Sequence, residues 1–130
     1  TTWAGNNAFY SPSEDRITMP PVDQFNTSEG MYATWAHEQV HSTGHKSRLD
    51  RKMGGGPNSI TYAREELVAE LGAYLICARL QIRSDVVNHA AYLKHWIEVL
   101  KESPDALRKC LSDASRAANL ICNIEEEQPM

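Results

Sequence analysis

The feature that most constrains this chain is the five-residue segment His37-Glu38-Gln39-Val40-His41, an HExxH sequence. If this segment is helical, His37 and His41 project from one face, one turn apart. Two imidazoles in that arrangement can bind one zinc ion through nitrogens at about 2.0–2.1 Å. Glu38 then lies about 100° round the helix, where it reaches a water on the ion without being a ligand. The segment therefore predicts a helix that supplies two metal ligands and a general base.

The residues around the motif are compatible with a helix of this kind. Pro21 is the last proline before it, Ser28 is a candidate N-cap, and Gly44 is expected to end the helix just after His41. The alternative interpretation is a surface helix that carries two solvated histidines, because so short a motif also arises by chance. A further ligand elsewhere in the chain would favour the metal site.

A catalytic zinc site needs a third protein ligand and an open fourth position. Residues 61–80 are a candidate source, because they are typical of a second helix with Thr61 as a candidate N-cap. Tyr62, Glu66 and Glu70 form a polar stripe on this helix at positions i, i+4 and i+8. Carboxylates beside an apolar stripe cost free energy unless they are paired or bound to metal, so Glu66 and Glu70 are both candidate ligands. A solvated helix flank is the alternative. The apolar face beside them is predicted to comprise Leu67, Leu71, Tyr74, Leu75 and Ala78.

The order of these motifs resembles the Glu-zincin arrangement of metallopeptidases, in which HExxH is completed by a Glu on a later helix. In that arrangement a second acid, four residues further on, hydrogen-bonds a ligand histidine. The resemblance implies that Glu66 binds the zinc and that Glu70 is the acceptor that fixes the tautomer of His37 or His41. Glu65 lies about 100° away round the helix and is expected to face elsewhere.

His45 is a further histidine close to the motif. The metzincin pattern HExxHxxGxxH fits through Gly44, but its third histidine would fall on Ser47. Because His45 follows the helix-ending glycine, its ring does not continue the row formed by His37 and His41. We therefore predict that His45 supports a ligand, contacts substrate or faces solvent.

Longer segments resemble one particular family, the C-terminal zincin-like metallopeptidase domain of ArdC-type antirestriction proteins. Related domains occur in TraC-type plasmid primases and phage polyvalent proteins. The resemblance runs from about Ala8 to Ile121 and is carried by FYSPSEDRITMPPVDQF, YATWAHEQVHSTGHKSRLDR, YAREELVAELGAYLICARL and HAAYLKHWIEVLKESPDALRKCLSDASRAANLI. It implies one zinc per chain, with His37, Glu38, His41 and Glu66 in the family's roles. A single-stranded-DNA-binding domain precedes this one in the family, so we expect the chain to be a piece of a longer protein.

The residue patterns and the resemblance together predict an α+β, zincin-like fold, in which a small N-terminal β element packs on about four helices. AFYSPSEDRITMP is typical of a hairpin, because strand-forming side chains flank a turn rich in Ser and Pro. Ile17 to Met19 is a candidate edge strand for an extended peptide, with a plain structural hairpin as the alternative. The last two helices are predicted to start at Ser84 and at the pair Ser103-Pro104.

The length of 130 residues is sufficient for one domain with its own core. We interpret residues 1–7 as a linker remnant, 8–124 as the metallopeptidase domain and 125–130 as an acidic disordered tail.

Charge and cysteine content limit which partners and which cellular compartment the sequence predicts. A net charge of −4 argues against a nucleic-acid-binding domain, so we expect weak or no binding of DNA by this chain. One basic cluster follows the metal helix, either as a solvated loop or as a contact for an acidic substrate or a DNA backbone; it comprises Lys46, Arg48, Arg51 and Lys52. The odd number of cysteines without CxxC spacing indicates reduced thiols in a cytoplasmic protein. The chain has no run of eighteen apolar residues, so its sequence predicts no membrane span.

These observations predict a zinc metallopeptidase that acts on a peptide or protein of unknown identity. Glu38 is the expected base, and Tyr62 either steadies the oxyanion or packs. The alternative is a catalytically idle, zinc-stabilised interaction module that aids antirestriction or DNA protection by a parent single-stranded-DNA-binding protein. Glu38 favours at least ancestral catalysis, because a structural zinc site closes its fourth position and needs no base.

Overall fold

A computed structural model describes residues 1–53, 59–82, Lys94, Glu98, Lys101 and 104–123. The fold is α+β, as the sequence predicts, and within these ranges it comprises three α-helices and a three-stranded sheet. The helices are α1 (Ser28–Thr43), α2 (Ile60–Arg79) and α3 (Pro104–Ile121). The strands are β1 (Thr2–Trp3), β2 (Phe9–Ser11) and β3 (Arg16–Met19), and a 3-10 turn covers Val22–Gln24. The predicted helix that starts at Ser84 and the predicted tail lie outside the described residues.

The sheet has the strand order β1-β3-β2. Strands β2 and β3 pair antiparallel with Tyr10 opposite Ile17, which confirms the predicted hairpin. Strand β1 lies parallel to β3, with Thr2 opposite Thr18. Of the two alternatives for Ile17 to Met19, the edge strand is therefore wrong, because β1 and β2 occupy both sides of β3, and the structural hairpin is correct.

The segment before the hairpin belongs to the folded structure. The rings of Trp3 and Trp35 meet edge to face with centroids 5.0 Å apart, and Trp35 Nε1 donates a hydrogen bond to Thr1 Oγ1 at 3.2 Å. These contacts attach β1 to α1. The domain boundary at residue 8 stays a prediction.

The N-cap of helix α1 lies one residue before the predicted one. Thr27, not Ser28, is the N-cap, and its side chain accepts a hydrogen bond from the Gly30 N–H at 3.0 Å. The helix ends at Thr43, directly before Gly44, as expected. Gly44 has an ordinary φ of −75°, so backbone strain does not require a glycine. A Cβ at this position would lie only 2.6 Å from Met53 Sδ and 3.1 Å from Arg51 Nη2, so the close approach of these two side chains favours a glycine here.

Helix α2 begins after Ser59, whose side chain accepts a hydrogen bond from the Tyr62 N–H at 3.1 Å, so the predicted cap at Thr61 is wrong. The predicted apolar face is only partly correct, since Tyr74 and Ala78 are exposed. Helix α2 packs against α1 on one side and α3 on another, so its buried surface is wider than a single stripe. Its buried apolar residues are Ala63, Leu67, Val68, Ala69, Gly72, Ala73, Ile76 and Cys77.

Small residues set the distance between the helices. At the crossing of α1 and α2, a Cβ added to Gly72 would lie 2.8 Å from Val40 Cγ2. Helix α3 starts at Pro104, as predicted, and buries alanines and Cys110 against the core. None of the helices in the described ranges is both long and apolar enough to cross a membrane.

Candidate metal centre

The close crossing of α1 and α2 brings three donor side chains together. His37 Nε2 lies 3.2 Å from His41 Nε2, and the Glu66 carboxylate lies 3.3 Å from each of these two nitrogens. Donor atoms at about 2.0–2.1 Å from a tetrahedral zinc ion are separated by about 3.3 Å. The triangle formed by His37, His41 and Glu66 therefore has the size that a tetrahedral divalent ion requires.

Glu70 lies behind this triangle, against the other nitrogen of one histidine. Its Oε1 is 2.8 Å from His37 Nδ1, and its side chain is only 11% exposed. A carboxylate on Nδ1 keeps the proton there and leaves Nε2 to face the donor triangle. The family resemblance implies that Glu70 supports a ligand histidine, and this contact places it against His37; the role itself stays a prediction.

Glu65 contradicts the expectation that it faces elsewhere. Its Oε2 is 2.8 Å from His41 Nδ1, and its side chain is only 6% exposed. His37 contacts Glu66 and Glu70, whereas His41, one turn further along α1, contacts Glu65 and Glu66. Both histidines thus have a carboxylate on Nδ1.

Arg51 accompanies Glu65 in the interior. Its Nε donates to Glu65 Oε1 at 2.9 Å, and its Nη2 donates to Glu65 Oε2 at 3.0 Å. Nη2 also donates to the Val40 carbonyl at 2.7 Å, and Nη1 donates to Thr43 Oγ1 at 2.7 Å. The interpretation of Arg51 as a member of a solvent-facing basic cluster is therefore wrong.

Arg48 and Lys52, two other members of that cluster, lie apart from each other. Arg48 pairs with Asp15 in the hairpin turn, and Lys52 faces a cavity of about 340 Å³ behind the Arg51–Glu65 pair. Three cations from α2 and α3 line the same cavity, namely Arg64, Lys109 and Arg116. The cations that share a surface thus come from three parts of the chain, which sequence proximity did not indicate.

The neighbouring carboxylates raise the pKa of both histidines. Burial lowers the pKa of His37, but hydrogen bonds to Glu66 and Glu70 outweigh it and raise this pKa to about 10. Burial likewise lowers the pKa of His41, but hydrogen bonds to Glu65 and Glu66 raise it to about 9. Burial raises the pKa of Glu66, yet its hydrogen bonds to both histidines lower it to about 2. A divalent cation can supply the positive charge that this group attracts.

Glu38 occupies a buried position next to the donor triangle, 8% exposed. Burial raises the pKa of its carboxyl, although the charges of His37 and His41 and a hydrogen bond from the Tyr10 backbone oppose this rise. A carboxylate with a raised pKa holds a proton more readily than an exposed one, which suits a general base.

Tyr62 and His45 differ in their relation to the site. Burial and the charge of Glu66 raise the pKa of the Tyr62 hydroxyl, so this side chain is electrostatically coupled to the site. His45 Nδ1 lies 2.8 Å from Ser47 Oγ and accepts a hydrogen bond from the Ser47 N–H at 3.1 Å. These contacts place the His45 ring against its own loop, outside the donor triangle.

Comparisons with known proteins point to one family. The MPTase-PolyVal family model, described as a zincin-like metallopeptidase, matches residues 1–113. The chain is 41% identical over 125 residues to a DNA primase TraC from Escherichia coli, a match that covers 96% of this chain and 9% of that protein. It is 36% identical over 116 residues to the y4eC protein of Sinorhizobium fredii (strain NBRC 101917 / NGR234), with 88% and 38% coverage.

Solved structures show the same similarity. The crystal structure of the antirestriction protein ArdC from plasmid R388 with Mn(II) bound superposes with a TM-score of 0.80 at 41% identity. That match covers 94% of this chain and 46% of ArdC. The metal-free ArdC structure gives a TM-score of 0.77 at 39% identity, with 96% and 47% coverage. This chain therefore spans less than half the length of each of these relatives.

Proposed function

Because the chain belongs to the zincin-like metallopeptidase family, we propose that it is a zinc-dependent metallopeptidase-like domain of an antirestriction-type protein from a plasmid or phage. The observation that carries the proposal is the donor triangle of His37, His41 and Glu66, with the buried carboxylate of Glu38 beside it. Three ligands and a neighbouring base are the protein groups that a zinc peptidase requires.

The donor set and the relatives support a divalent metal ion, and we propose zinc. Two imidazoles and one carboxylate are a common donor set of catalytic zinc sites. The ArdC relative binds Mn(II) in its crystal structure, which supports a divalent ion in this fold. Sites with nitrogen and oxygen donors generally bind zinc more tightly than manganese, so zinc is the expected ion here. When bound, zinc supplies Lewis acidity toward a peptide carbonyl and lowers the pKa of water to about 7.

The chain's own residues supply the remaining chemistry. Glu38 accepts a proton from the attacking water and returns it to the leaving amine, and its raised pKa favours the first of these transfers. Glu70 holds the proton of His37 on Nδ1, so that Nε2 faces the metal. Tyr62 hydrogen-bonds the oxyanion in this proposal, and packing is its alternative role.

The relatives supply the biological setting. They include a TraC primase and the ArdC antirestriction protein, so we propose that the domain works within a larger antirestriction-type protein. The family resemblance of the sequence adds the proposal that this larger protein has a single-stranded-DNA-binding region. We place it in the cytoplasm of the bacterial host, which fits the free thiols of Cys77, Cys110 and Cys122. Its substrate is then a peptide or protein of that compartment.

One observation favours the alternative, a catalytically idle and zinc-stabilised interaction module. Strand β3 is paired on both sides, so it offers no free edge to an extended peptide. The exposed edges of the sheet are β1 and β2, which are only 2 and 3 residues long.

Glu38→Gln separates the two functions. We expect the variant to keep its zinc content and fold but to lose peptide hydrolysis, because only the base is removed. The assay compares zinc-loaded wild type and variant on a mixed peptide library by mass spectrometry. Equal cleavage by both would assign the activity to a contaminant, and zinc-loaded wild type without cleavage would support the interaction module.

A further inference from the structure

The two ligand histidines are supported by different side chains. His37 Nδ1 faces Glu70, which lies four residues after Glu66 on α2, whereas His41 Nδ1 faces Glu65 at 2.8 Å. The two supports also differ in their surroundings, since both oxygens of Glu65 accept hydrogen bonds from the buried Arg51. The support of His41 is therefore a pair of residues.

Hydrogen-bond accounting fixes the orientation of the His41 ring. A carboxylate that accepts two N–H groups from a guanidinium is itself an acceptor only, so Glu65 Oε2 requires Nδ1 of His41 to donate. The neutral ring then has its lone pair on Nε2, the atom that lies 3.2 Å from His37 Nε2. Glu65 thus selects the tautomer that can bind a metal.

Arg51 in turn is fixed by the end of α1. It donates to the Val40 carbonyl and to Thr43 Oγ1, both at 2.7 Å, and its side chain is only 8% exposed. Val40 has one of the last carbonyls of the helix, which lack a backbone donor four residues on and favour a nearby cation. This carbonyl also accepts a hydrogen bond from Thr43 Oγ1 at 2.5 Å. Gly44 leaves the space for this contact, because a Cβ there would lie 3.1 Å from Arg51 Nη2.

We infer that Arg51 and Glu65 are a positioning pair for His41, an inference that rests on the proposed zinc site. Arg51 joins the C-terminal end of α1 to Glu65 on α2, and Glu65 holds His41 with Nε2 toward the ion. The charges of the pair compensate each other in the interior, where either charge alone would be unfavourable. Glu65 contacts His41 through Nδ1, which is not the nitrogen in the donor triangle, and Arg51 contacts Glu65.

The test measures zinc affinity by chelator competition for wild type, Arg51→Gln and Glu65→Gln. We expect both variants to bind zinc about 10–100-fold more weakly, the usual effect of removing a group that orients a metal ligand. Arg48→Gln is the matched control, because Arg48 lies in the same loop and also donates to a carbonyl at the end of α1, that of Ser42 at 2.8 Å, but pairs with Asp15 on the surface instead of Glu65. It should bind zinc as wild type does.

A double variant separates positioning from packing. Arg51→Met with Glu65→Leu replaces a buried ion pair by apolar side chains, an exchange that often preserves stability. We expect this protein to fold, as measured by circular dichroism and thermal melting, but still to bind zinc about 10–100-fold more weakly, because His41 Nδ1 has lost its acceptor. The His41 Nδ1–H resonance in ¹⁵N-detected NMR should also shift or disappear.

The outcomes distinguish this inference from the proposed function. Zinc binding by wild type together with unchanged affinity in the double variant would overturn the positioning role alone. Wild-type protein that binds no zinc would overturn both the zinc site and this role. Weaker binding in a folded double variant, with Arg48→Gln unchanged, would support the inference.

Discussion

Gly72→Ala tests whether helix packing sets the geometry of the metal site. The new Cβ would lie 2.8 Å from Val40 Cγ2 and 3.0 Å from Val40 Cγ1, so α1 and α2 must separate by several tenths of an ångström. Overpacking of this kind costs about 1–3 kcal/mol. Alanine in place of glycine within a helix recovers about 0.5–1 kcal/mol. The net destabilisation is then about 1 kcal/mol, within a range of about 0–2.5 kcal/mol.

The same movement should weaken metal binding. Val40 is the sequence neighbour of His41, and Gly72 lies on the helix that carries Glu66, so separation of the helices widens the 3.3 Å spacing between these two donors. Thermal unfolding should show a lower Tm, by about 4 °C for each kcal/mol in a domain of this size. Chelator competition should show a lower zinc affinity.

The double variant Val40→Ala with Gly72→Ala is the matched control. Truncation of Val40 alone should cost about 2 kcal/mol, because it removes buried methyl groups. In the double variant the new Cβ enters the vacated space, so the two losses should couple favourably by about 1 kcal/mol. Wild-type stability and zinc affinity in Gly72→Ala, without coupling in the cycle, would refute the argument.

Three further predictions concern metal, pH and DNA. Glu66→Ala should strongly weaken zinc binding, measured by metal analysis after dialysis, and unchanged zinc content would contradict its role as a ligand. Because the pKa values of His37 and His41 are raised to about 10 and 9, both rings are positively charged at pH 7. Zinc affinity should therefore rise with pH and approach a plateau above those values. Calorimetry in buffers of different ionisation enthalpy should detect the protons that zinc binding releases. The chain should bind single-stranded DNA weakly, and the residual binding should fall steeply with salt and with charge-neutralising changes at the cavity. Arg108→Gln, an exposed change outside the cavity, should have no effect on this binding. Salt-resistant sub-micromolar binding would contradict the prediction. The cavity changes are Lys52→Gln, Arg64→Gln, Lys109→Gln and Arg116→Gln.

The sequence predicted the parts of the site that depend on local geometry. HExxH in one helix determines that His37 and His41 share a face, because the spacing of four residues follows from the helical repeat. The hairpin was predictable for the same reason, since turn residues and strand formers alternate within a short segment. The proposed third ligand, Glu66, came from the resemblance, because residue patterns alone left Glu66 and Glu70 as alternatives.

The contacts that the sequence did not predict depend on how separate elements cross. Glu65 was expected to face away from Glu66, and the prediction failed because the two histidines meet α2 on either side of Glu66. Arg51 was grouped with its charged neighbours, although the return of the loop onto α1 buries it. No periodic pattern in the sequence indicates either contact, since each depends on how separate elements of the fold are placed relative to one another.

Small side chains explain why the donors can meet at all. The core between the helices is rich in alanine, and Gly72 meets Val40 where a larger residue would not fit. The two helices that meet there carry the donors, and the Glu66 carboxylate lies 3.3 Å from each of the two imidazoles. The ion pair of Arg51 and Glu65 then holds the same two helices together at one end of the site. The metal-binding geometry is therefore a property of the packing between α1 and α2, and substitutions in this core should alter metal affinity even where they touch no ligand.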